Sequence, residues 1–388
     1  MNSSKQHHRG IGLGWSALLS AVLGLLLLVL TLLVGNLRWS LGAEKAKLMW
    51  FEHVRSALGL GTGPMVMADS LLLVDVHYDR VLTTLRDADG LPGGTEATVD
   101  HEHLLRLLQE IEATGGYRYV VLDVFLDAEA RQPADSALCQ LISHMPRIVV
   151  AKSGKPLADS CLLPKAGMAM YATPLWDSDF VKYPYFSGGE RSLPLVMYEE
   201  LTGRSIDTSG LVSTDSGWPV RSSVVLTYAL KEDSTLMSNR RYLDQMVADG
   251  PDEPLLDSPA MAHGKYVVIG DFVSDRHQTF LGEMSGALIN FNAFLSLMHG
   301  HHRLSPGLLL FLFLVFSLLA FVTIHYSSFS RMVMWLGYPA VLLLACLIVY
   351  VASGQVYDVL WAWAFFYVLE KFTYIFNRLR EARQPQRQ

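Results

Sequence analysis

Three acidic residues stand at the ends of three apolar segments of this chain. Asp75 ends the run SLLLVDV, Asp123 lies in YRYVVLDVFL, and Asp271 ends KYVVIGDF. Each run is short, rich in Val, Leu and Ile, and bounded by turn-forming residues, which predicts a buried β-strand. Ligands of open parallel sheets bind outside the carboxyl ends of the strands. If these strands are neighbours, the three carboxylates lie on one edge of a sheet.

Further polar residues follow the same strands and complete a candidate ligand-binding site. His77 comes two residues after Asp75, and Asp275 and His277 follow Asp271, while Asp79 and Asp127 lie nearby. Together with the strand-end acids they have the chemistry to hold a metal ion, a cationic ligand or a catalytic acid. The alternative is that each Asp caps the turn or helix after its strand. The sequence leaves both open and assigns no metal.

The other histidines and the known catalytic motifs provide no further candidate site. His101 and His103 stand at a helix start with a spacing that fits no zinc motif, so exposure is expected. His299, His301 and His302 crowd the end of the middle region and are interpreted as a flexible polar linker. The GxSxG, Walker-type and CxxC signatures do not occur. The sequence therefore predicts neither catalysis nor a cofactor.

The cysteines leave one structural question open. Cys139 and Cys161 both lie in the middle of the chain, 22 residues apart, and Cys346 lies in an apolar segment. In an oxidising compartment the first two would form a disulfide that joins a helix to a following loop. Two free buried thiols are the equally simple alternative.

The elements that must position these residues alternate between strands and helices. Amphipathic segments at 101–116 and 135–145 separate the apolar strands, and a closing helix is predicted at 286–300. This alternation predicts an α/β domain with a mainly parallel sheet covered by helices. A Gly/Asp-rich stretch at 87–100 reads as an inserted loop, and an amphipathic helix at 43–59 reads as a stalk.

Four segments are long and apolar enough to cross a bilayer, which takes about 20 residues. Charged residues make up only 18% of the chain, below the roughly 25% usual for soluble domains. The first apolar run is too long for a cleaved signal peptide and no small-x-small site follows it, so an uncleaved anchor is predicted. The four segments are 11–37, Leu304–Tyr326, Val333–Ala352 and Val356–Phe376.

Positive charges predict how these segments are oriented. Basic residues in short flanking loops mark the cytoplasmic side of a membrane protein, and here they are Lys5, Arg9, Arg331, Arg378, Arg380, Arg383 and Arg387. The other short loop, SGQVYD, has no basic residue. Both termini are therefore expected in the cytoplasm of a bacterium and the large domain outside its inner membrane. The predicted divisions are a cytoplasmic tail (1–10), a membrane helix (11–37), the outer α/β domain (38–303), three membrane helices (304–376) and a basic cytoplasmic tail (377–388).

This order of elements resembles the second type of CHASE domain, the cyclase/histidine-kinase-associated sensory extracellular family. The resemblance spans residues 11–376 and implies one membrane helix, an extracellular sensory domain and three further membrane helices. It departs from the family at VLTTLRDADGLPGG, where a Trp-Pro-Trp-Pro-Arg segment is usual. Only NRLREARQPQRQ follows the last helix, so we expect no output enzyme in this chain. The matching motif positions are Asp75, Asp123, Asp135, Leu138, Gly270, Asp275, His277, Thr279, Gly286, Asn292 and Gly300.

Three functions are consistent with these features. The first is a membrane sensor or regulatory subunit that signals to a separate membrane or cytoplasmic effector, with Glu370 and Lys371 as candidate contacts. The second is a scaffold subunit of an envelope complex, and the third is an extracytoplasmic metal-dependent hydrolase. The expected partners are the lipid bilayer, the effector and a second copy of the chain. A net charge of −6 without a basic aromatic patch predicts no nucleic-acid binding.

Overall fold

The computed structural model describes residues 13–35, 43–60, 68–87, 89–169, 181–187, 189–209, 213–225, 230–248, 261–280, 282–325, 336–357 and 359–382. Both predicted tails and the basic loop around Arg331 lie wholly or largely outside these residues. The helices are α1 (Leu13–Gly35), α2 (Ala43–Ala57), α3 (His101–Thr114), α4 (Asp135–His144), α5 (Leu193–Thr202), α6 (Ser234–Met237), α7 (Leu243–Ala248), α8 (Gly286–Met298), α9 (Pro306–His325), α10 (Tyr338–Ser353) and α11 (Val359–Ala382).

The strands lie between α2 and α8 in the chain. They are β1 (Leu71–Asp75), β2 (Arg80–Arg86), β3 (Pro92–Val99), β4 (Tyr119–Asp123), β5 (Ile148–Lys152), β6 (Ala166–Met168), β7 (Lys182–Pro184), β8 (Phe186–Ser187), β9 (Glu190–Arg191), β10 (Ile206–Asp207), β11 (Thr214–Asp215), β12 (Trp218–Pro219), β13 (Ser223–Val225), β14 (Arg240–Tyr242), β15 (Tyr266–Gly270), β16 (Arg276–Thr279) and β17 (Gly282–Ser285). The chain divides into an α/β unit, residues 38–302, and a helical unit made of residues 1–37 and 303–388.

A six-stranded sheet forms the centre of the α/β unit. Its order is β14-β1-β15-β4-β5-β6, and each neighbouring pair is parallel. β1 is buried along its whole length, and β4, β5 and β15 along most of theirs, as their near-continuous Val/Leu/Ile sequences predict for a sheet covered on both faces. The predicted α/β class with a mainly parallel sheet is confirmed.

Helices cover the two faces of this sheet. Leu72, Val120 and Ile148 point to one face, where they join the apolar sides of α3 and α4 in a single core. Helices α5 and α8 pack on the other face. At Gly270 the α8 backbone comes so close that an added Cβ would lie 2.9 Å from the Cβ of Ala287. A glycine at the end of β15 therefore allows α8 to begin directly over the sheet.

The structure differs from the sequence-based prediction at 87–100. Most of this stretch is not a loop but belongs to an exposed two-stranded hairpin formed by β2 and β3. Strand β3 was not predicted because it contains two consecutive glycines, at 93 and 94, and glycine is disfavoured in strands. The edge strand β14 was also missed, since its sequence RRY has the polar character of a loop. It pairs with β1 all the same, with Asp75 opposite Tyr242.

The helical unit brings together helices from both ends of the chain. Helix α1 packs along α9, and α10 and α11 pack against α9 and each other. At Gly24 the two helices approach so closely that a Cβ would lie 2.2 Å from Ser317 Oγ and 2.9 Å from the Ser317 backbone nitrogen. By length and composition, two helical stretches among the described residues, Leu13–Val34 and Pro306–Ile324, are suited to crossing a membrane. Helix α10 is apolar but shorter.

Candidate functional site

The three strand-end acids lie on one edge of the central sheet, as the sequence predicts. Asp75 of β1 is in register with Gly270 of β15, and Gly270 is in register with Asp123 of β4. Asp271 follows Gly270 directly. The carboxyl ends of three neighbouring strands thus present their acids side by side, at the edge where parallel sheets bind ligands.

Asp75 is fully buried and holds the backbone around it in place. Its Oδ1 accepts hydrogen bonds from the backbone N–H groups of His77, at 3.0 Å, and of Phe272, at 3.3 Å. Its Oδ2 lies 3.6 Å from the Arg240 guanidinium. Burial raises the pKa of Asp75, against the lowering effect of the two N–H groups and of Arg240. The side chain links the ends of β1, β15 and β14.

Asp271 is occupied by protein donors in the same way. It accepts from the backbone N–H groups of Val273 and Ser274 at 2.9 and 2.7 Å and from the Ser274 hydroxyl. Arg80 donates to it at 2.7 Å, and His77 Nδ1 lies 3.2 Å away. Burial alone would raise the pKa of Asp271, but the hydrogen bonds, led by Ser274, outweigh it and lower the pKa. This carboxylate is therefore ionised, and its oxygens are used to stabilise the turn that follows it.

Asp123 has a different environment. Its Oδ2 accepts a hydrogen bond from the Asn290 side chain of α8 at 3.1 Å, and Asn290 in turn accepts one from the Tyr183 hydroxyl. No cation within 4 Å pairs with Asp123 among the described residues. Burial and then the nearby charge of Asp275 raise the pKa of Asp123 to about 7. The group is thus able to gain or lose a proton near neutral pH.

His277 and Asp275 form a pair beside Asp123. His277 Nε2 lies 2.9 Å from Asp275 Oδ1, and this hydrogen bond raises the pKa of His277 more than burial lowers it. Asp275 also accepts the N–H of Gly286 at its backbone carbonyl, 2.9 Å away, where α8 begins. We call the polar chain Tyr183–Asn290–Asp123 and the adjoining pair Asp275–His277 the Asp123 cluster.

The sheet edge therefore has two halves with different chemistry. Asp75 and Asp271 cap turns and bind arginines, so the capping alternative holds for them. Asp123 and His277 have raised pKa values, and Asp275 pairs with His277. Within the described chain, Asp75, Asp123 and Asp271 do not bring ligand oxygens within 4.8 Å of one another. Sharing an edge does not bring the three acids to one point.

Sequence reasoning missed several partners of these acids. Arg240 comes from the unrecognised strand β14, and Arg80 and Asn290 carry no motif of their own. Asn290 lies 167 residues from Asp123 in the chain. A weak signal for it was an amide side chain inside the apolar helix α8, because a buried polar group needs a hydrogen-bond partner.

Two expectations about histidines are wrong. His101 is buried, 1% exposed, and its Nδ1 lies 2.5 Å from Asp135, so it joins α3 to α4 and is not a surface residue. His302 is fully buried with Nε2 3.2 Å from Asp215, and Asp215 also accepts from Tyr198. The segment around His302 is therefore part of the folded α/β unit and not a flexible linker. The sequence gives no hint of Asp215, which lies 87 residues earlier.

Cys139 of α4 and Cys161 are joined by a disulfide. Cys161 belongs to a short 3-10 helix, Ser160–Lys165, so the bridge fastens that segment against α4. Asp159, which accepts the N–H of Cys161, lies beside the two sulfurs. Cys346 is free and buried in α10.

No model of a protein family matches the chain, and neither does any curated protein or solved structure with which it was compared.

Proposed function

We propose that this chain is a membrane-bound sensor or regulatory subunit, whose α/β unit lies outside the bacterial inner membrane and signals to a separate effector. One observation carries the proposal. The α/β unit, residues 38–302, is inserted in the chain between α1 and α9, and these two helices pack on each other. We infer that a conformational change in the α/β unit acts on the packing of α1 with α9, because the chain enters and leaves the unit through these two helices.

Further features support this reading. The resemblance to the second type of CHASE domain implies four membrane helices, and the positive charges flanking them favour cytoplasmic termini. The Asp123 cluster supplies a carboxyl on the sheet edge, that of Asp123, whose charge depends on its surroundings. A bound ligand or proton acts on the helices only if it stabilises one of two packings over the other. The close packing at Gly24 makes gradual sliding costly and favours discrete arrangements.

Helix α11 offers a surface for the effector. Phe372 is 69% exposed on it, whereas Phe366 is 1% exposed and packs against Tyr338. The effector contacts the end of α11 that carries the candidate residues Glu370 and Lys371, next to Phe372. A photo-activatable cross-linker placed at residue 372 in native membranes should join the chain to one partner protein, and the same cross-linker at residue 366 should not.

A comparison of cross-linking yields separates a sensor from a scaffold. In a sensor, Asp123→Asn alters the outer domain and should change the yield at residue 372 by at least twofold. In a scaffold, the yield stays constant because the contact does not depend on the state of the domain. Asp89→Asn, the same substitution at an exposed position of the β2–β3 turn, is the matched control. An unchanged yield in Asp123→Asn would contradict signalling through this cluster.

A further inference from the structure

A second group of carboxylates lies on the same side of the sheet, towards its β14 edge. Asp79 follows β1, Asp244 lies in the first turn of α7 directly after β14, and Asp100 is the N-cap of α3. Strands β14 and β1 are neighbours, and α3 contacts α7. The topology therefore brings three acids from separate segments to the carboxyl ends of two adjacent strands.

One imidazole lies between two of these carboxylates. His103 Nδ1 is 2.7 Å from Asp79 Oδ1, and His103 Nε2 is 3.8 Å from Asp100 Oδ2. The other oxygen of Asp100 accepts the N–H of Glu102 at 2.9 Å. Histidine thus reaches both acids, but a single imidazole offers at most one positive charge to three carboxylates.

Two buried oxygens of the group have no hydrogen-bond partner among the described residues. They are Oδ2 of Asp79, whose side chain is only 5% exposed, and Oδ1 of Asp244. A buried carboxylate oxygen without a partner is costly. Burial raises the pKa of Asp79, and the charges of Asp100 and Asp244 raise it further against the effect of His103.

The neighbouring arginines do not supply the missing charge. Arg80 pairs with Asp271 at 2.7 Å, and Arg240 lies 3.6 Å from Asp75 and donates to the Tyr242 hydroxyl. Both arginines therefore already pair with acids of the candidate functional site. A cation bound at Asp79 Oδ2 and Asp244 Oδ1 would remove the cost of leaving these oxygens without a partner.

We propose that Asp79, Asp100 and Asp244 bind a divalent metal ion with a preference for oxygen ligands, of the Mg²⁺ or Ca²⁺ type. Such ions are held by carboxylates, and Mg²⁺ keeps several of its waters while contacting one or two of them. No three of Asp79, Asp100, His103 and Asp244 place a ligand atom within 4.8 Å of one another in the described structure. The proposed ion contacts one or two of the carboxylates directly and reaches the others through its bound waters, as is usual for Mg²⁺. This inference does not depend on the proposed signalling role.

The test uses the full chain in detergent, freed of metal with a chelator that is then removed by dialysis. Thermal unfolding is followed by circular dichroism while MgCl₂ or CaCl₂ is added, against NaCl at matched ionic strength. A ligand that binds only the folded state raises the unfolding temperature with its concentration. We expect a saturable rise with one or both divalent ions that exceeds the effect of NaCl, and calorimetric titration then gives the dissociation constant.

Two variants test whether the ion binds at this site. Asp244→Asn should raise the dissociation constant at least tenfold, and so should Asp100→Asn, which retains a good N-cap residue for α3. Asp89→Asn, exposed in the β2–β3 turn, should leave it unchanged. If divalent ions shift unfolding no more than NaCl, or if both site variants bind as the parent chain does, the proposal is overturned. If the chain binds the ion but Asp123→Asn leaves the cross-linking yield at residue 372 unchanged, the metal site stands and only the signalling role is lost.

Discussion

At the scale of single residues, Asp123 and His277 give folding stability a defined pH dependence. The pKa of Asp123 rises from 3.8 to about 7 on folding, so between these values the folded chain holds a proton that the unfolded chain releases. Its contribution to the free energy of unfolding therefore falls as the pH rises through this window. The raised pKa of His277 acts in the same direction, because its stabilisation is complete below about 6.5 and is lost above the folded pKa.

We predict that Asp123→Asn reduces this pH dependence. The amide carbonyl of the new side chain still accepts a hydrogen bond from Asn290, but it does not ionise. The variant should be stabilised relative to the parent chain at pH 8, and its unfolding temperature should change less between pH 5 and pH 8. Thermal unfolding by circular dichroism at several pH values measures both. Asp89→Asn should follow the parent chain, and an identical pH profile in Asp123→Asn would show that Asp123 titrates as an ordinary carboxyl.

Residue type and strand-end position were sufficient to predict that Asp75, Asp123 and Asp271 share an edge. They were not sufficient to predict which of them is free to react. That difference depends on Arg240 and Asn290, which reach the edge from β14 and α8. Partners so distant in sequence follow from tertiary packing and leave no local pattern. The same reason explains why the buried state of His302 was not foreseen.

At the scale of elements, the contact between α1 and α9 depends on Gly24. A larger side chain there meets the Ser317 backbone, which has no room to move without separating the helices. We predict that Gly24→Leu destabilises the helical unit by about 1–3 kcal/mol, the usual cost of overpacking. Unfolding of the full chain in mixed detergent micelles measures the loss. Gly14→Leu is the matched control, since nothing lies within 4 Å of a Cβ at Gly14; equal stability of the two variants would refute the close contact.

Elements with strong apolar periodicity were predicted to within a few residues. The sequence predicted β1, β4 and β15 and the helices α3, α4 and α8, because each must bury a continuous apolar surface. It did not predict β2, β3 and β14, which are polar, contain glycine or are exposed. Such strands depend on pairing with a neighbouring strand, which cannot be predicted from their own composition.

At the scale of the whole molecule, folding of the α/β unit and assembly of the helical unit are linked, because the first is inserted in the chain between the two parts of the second. The helical unit is assembled from residues before and after the α/β unit, so α1 must wait for α9 to be synthesised before they pack. Within the α/β unit, the buried pair of His302 with Asp215 fastens the C-terminal end of the unit to β11. Folding of that unit shortens the free chain between α1 and α9 and so lowers the entropy cost of pairing these two helices.

The proposed topology makes a prediction about chemical labelling in intact cells. Leu82 is 81% exposed on β2, and a cysteine introduced there should react with a membrane-impermeant maleimide in intact spheroplasts. A cysteine at Arg380, near the end of α11, should react only after lysis. The native cysteines give little background, because Cys139 and Cys161 are bridged and Cys346 is buried. Leu104→Cys, in the core of the α/β unit, controls for partial unfolding. Reaction of residue 380 before lysis, with protection of residue 82, would place the α/β unit in the cytoplasm and exclude an extracytoplasmic sensor.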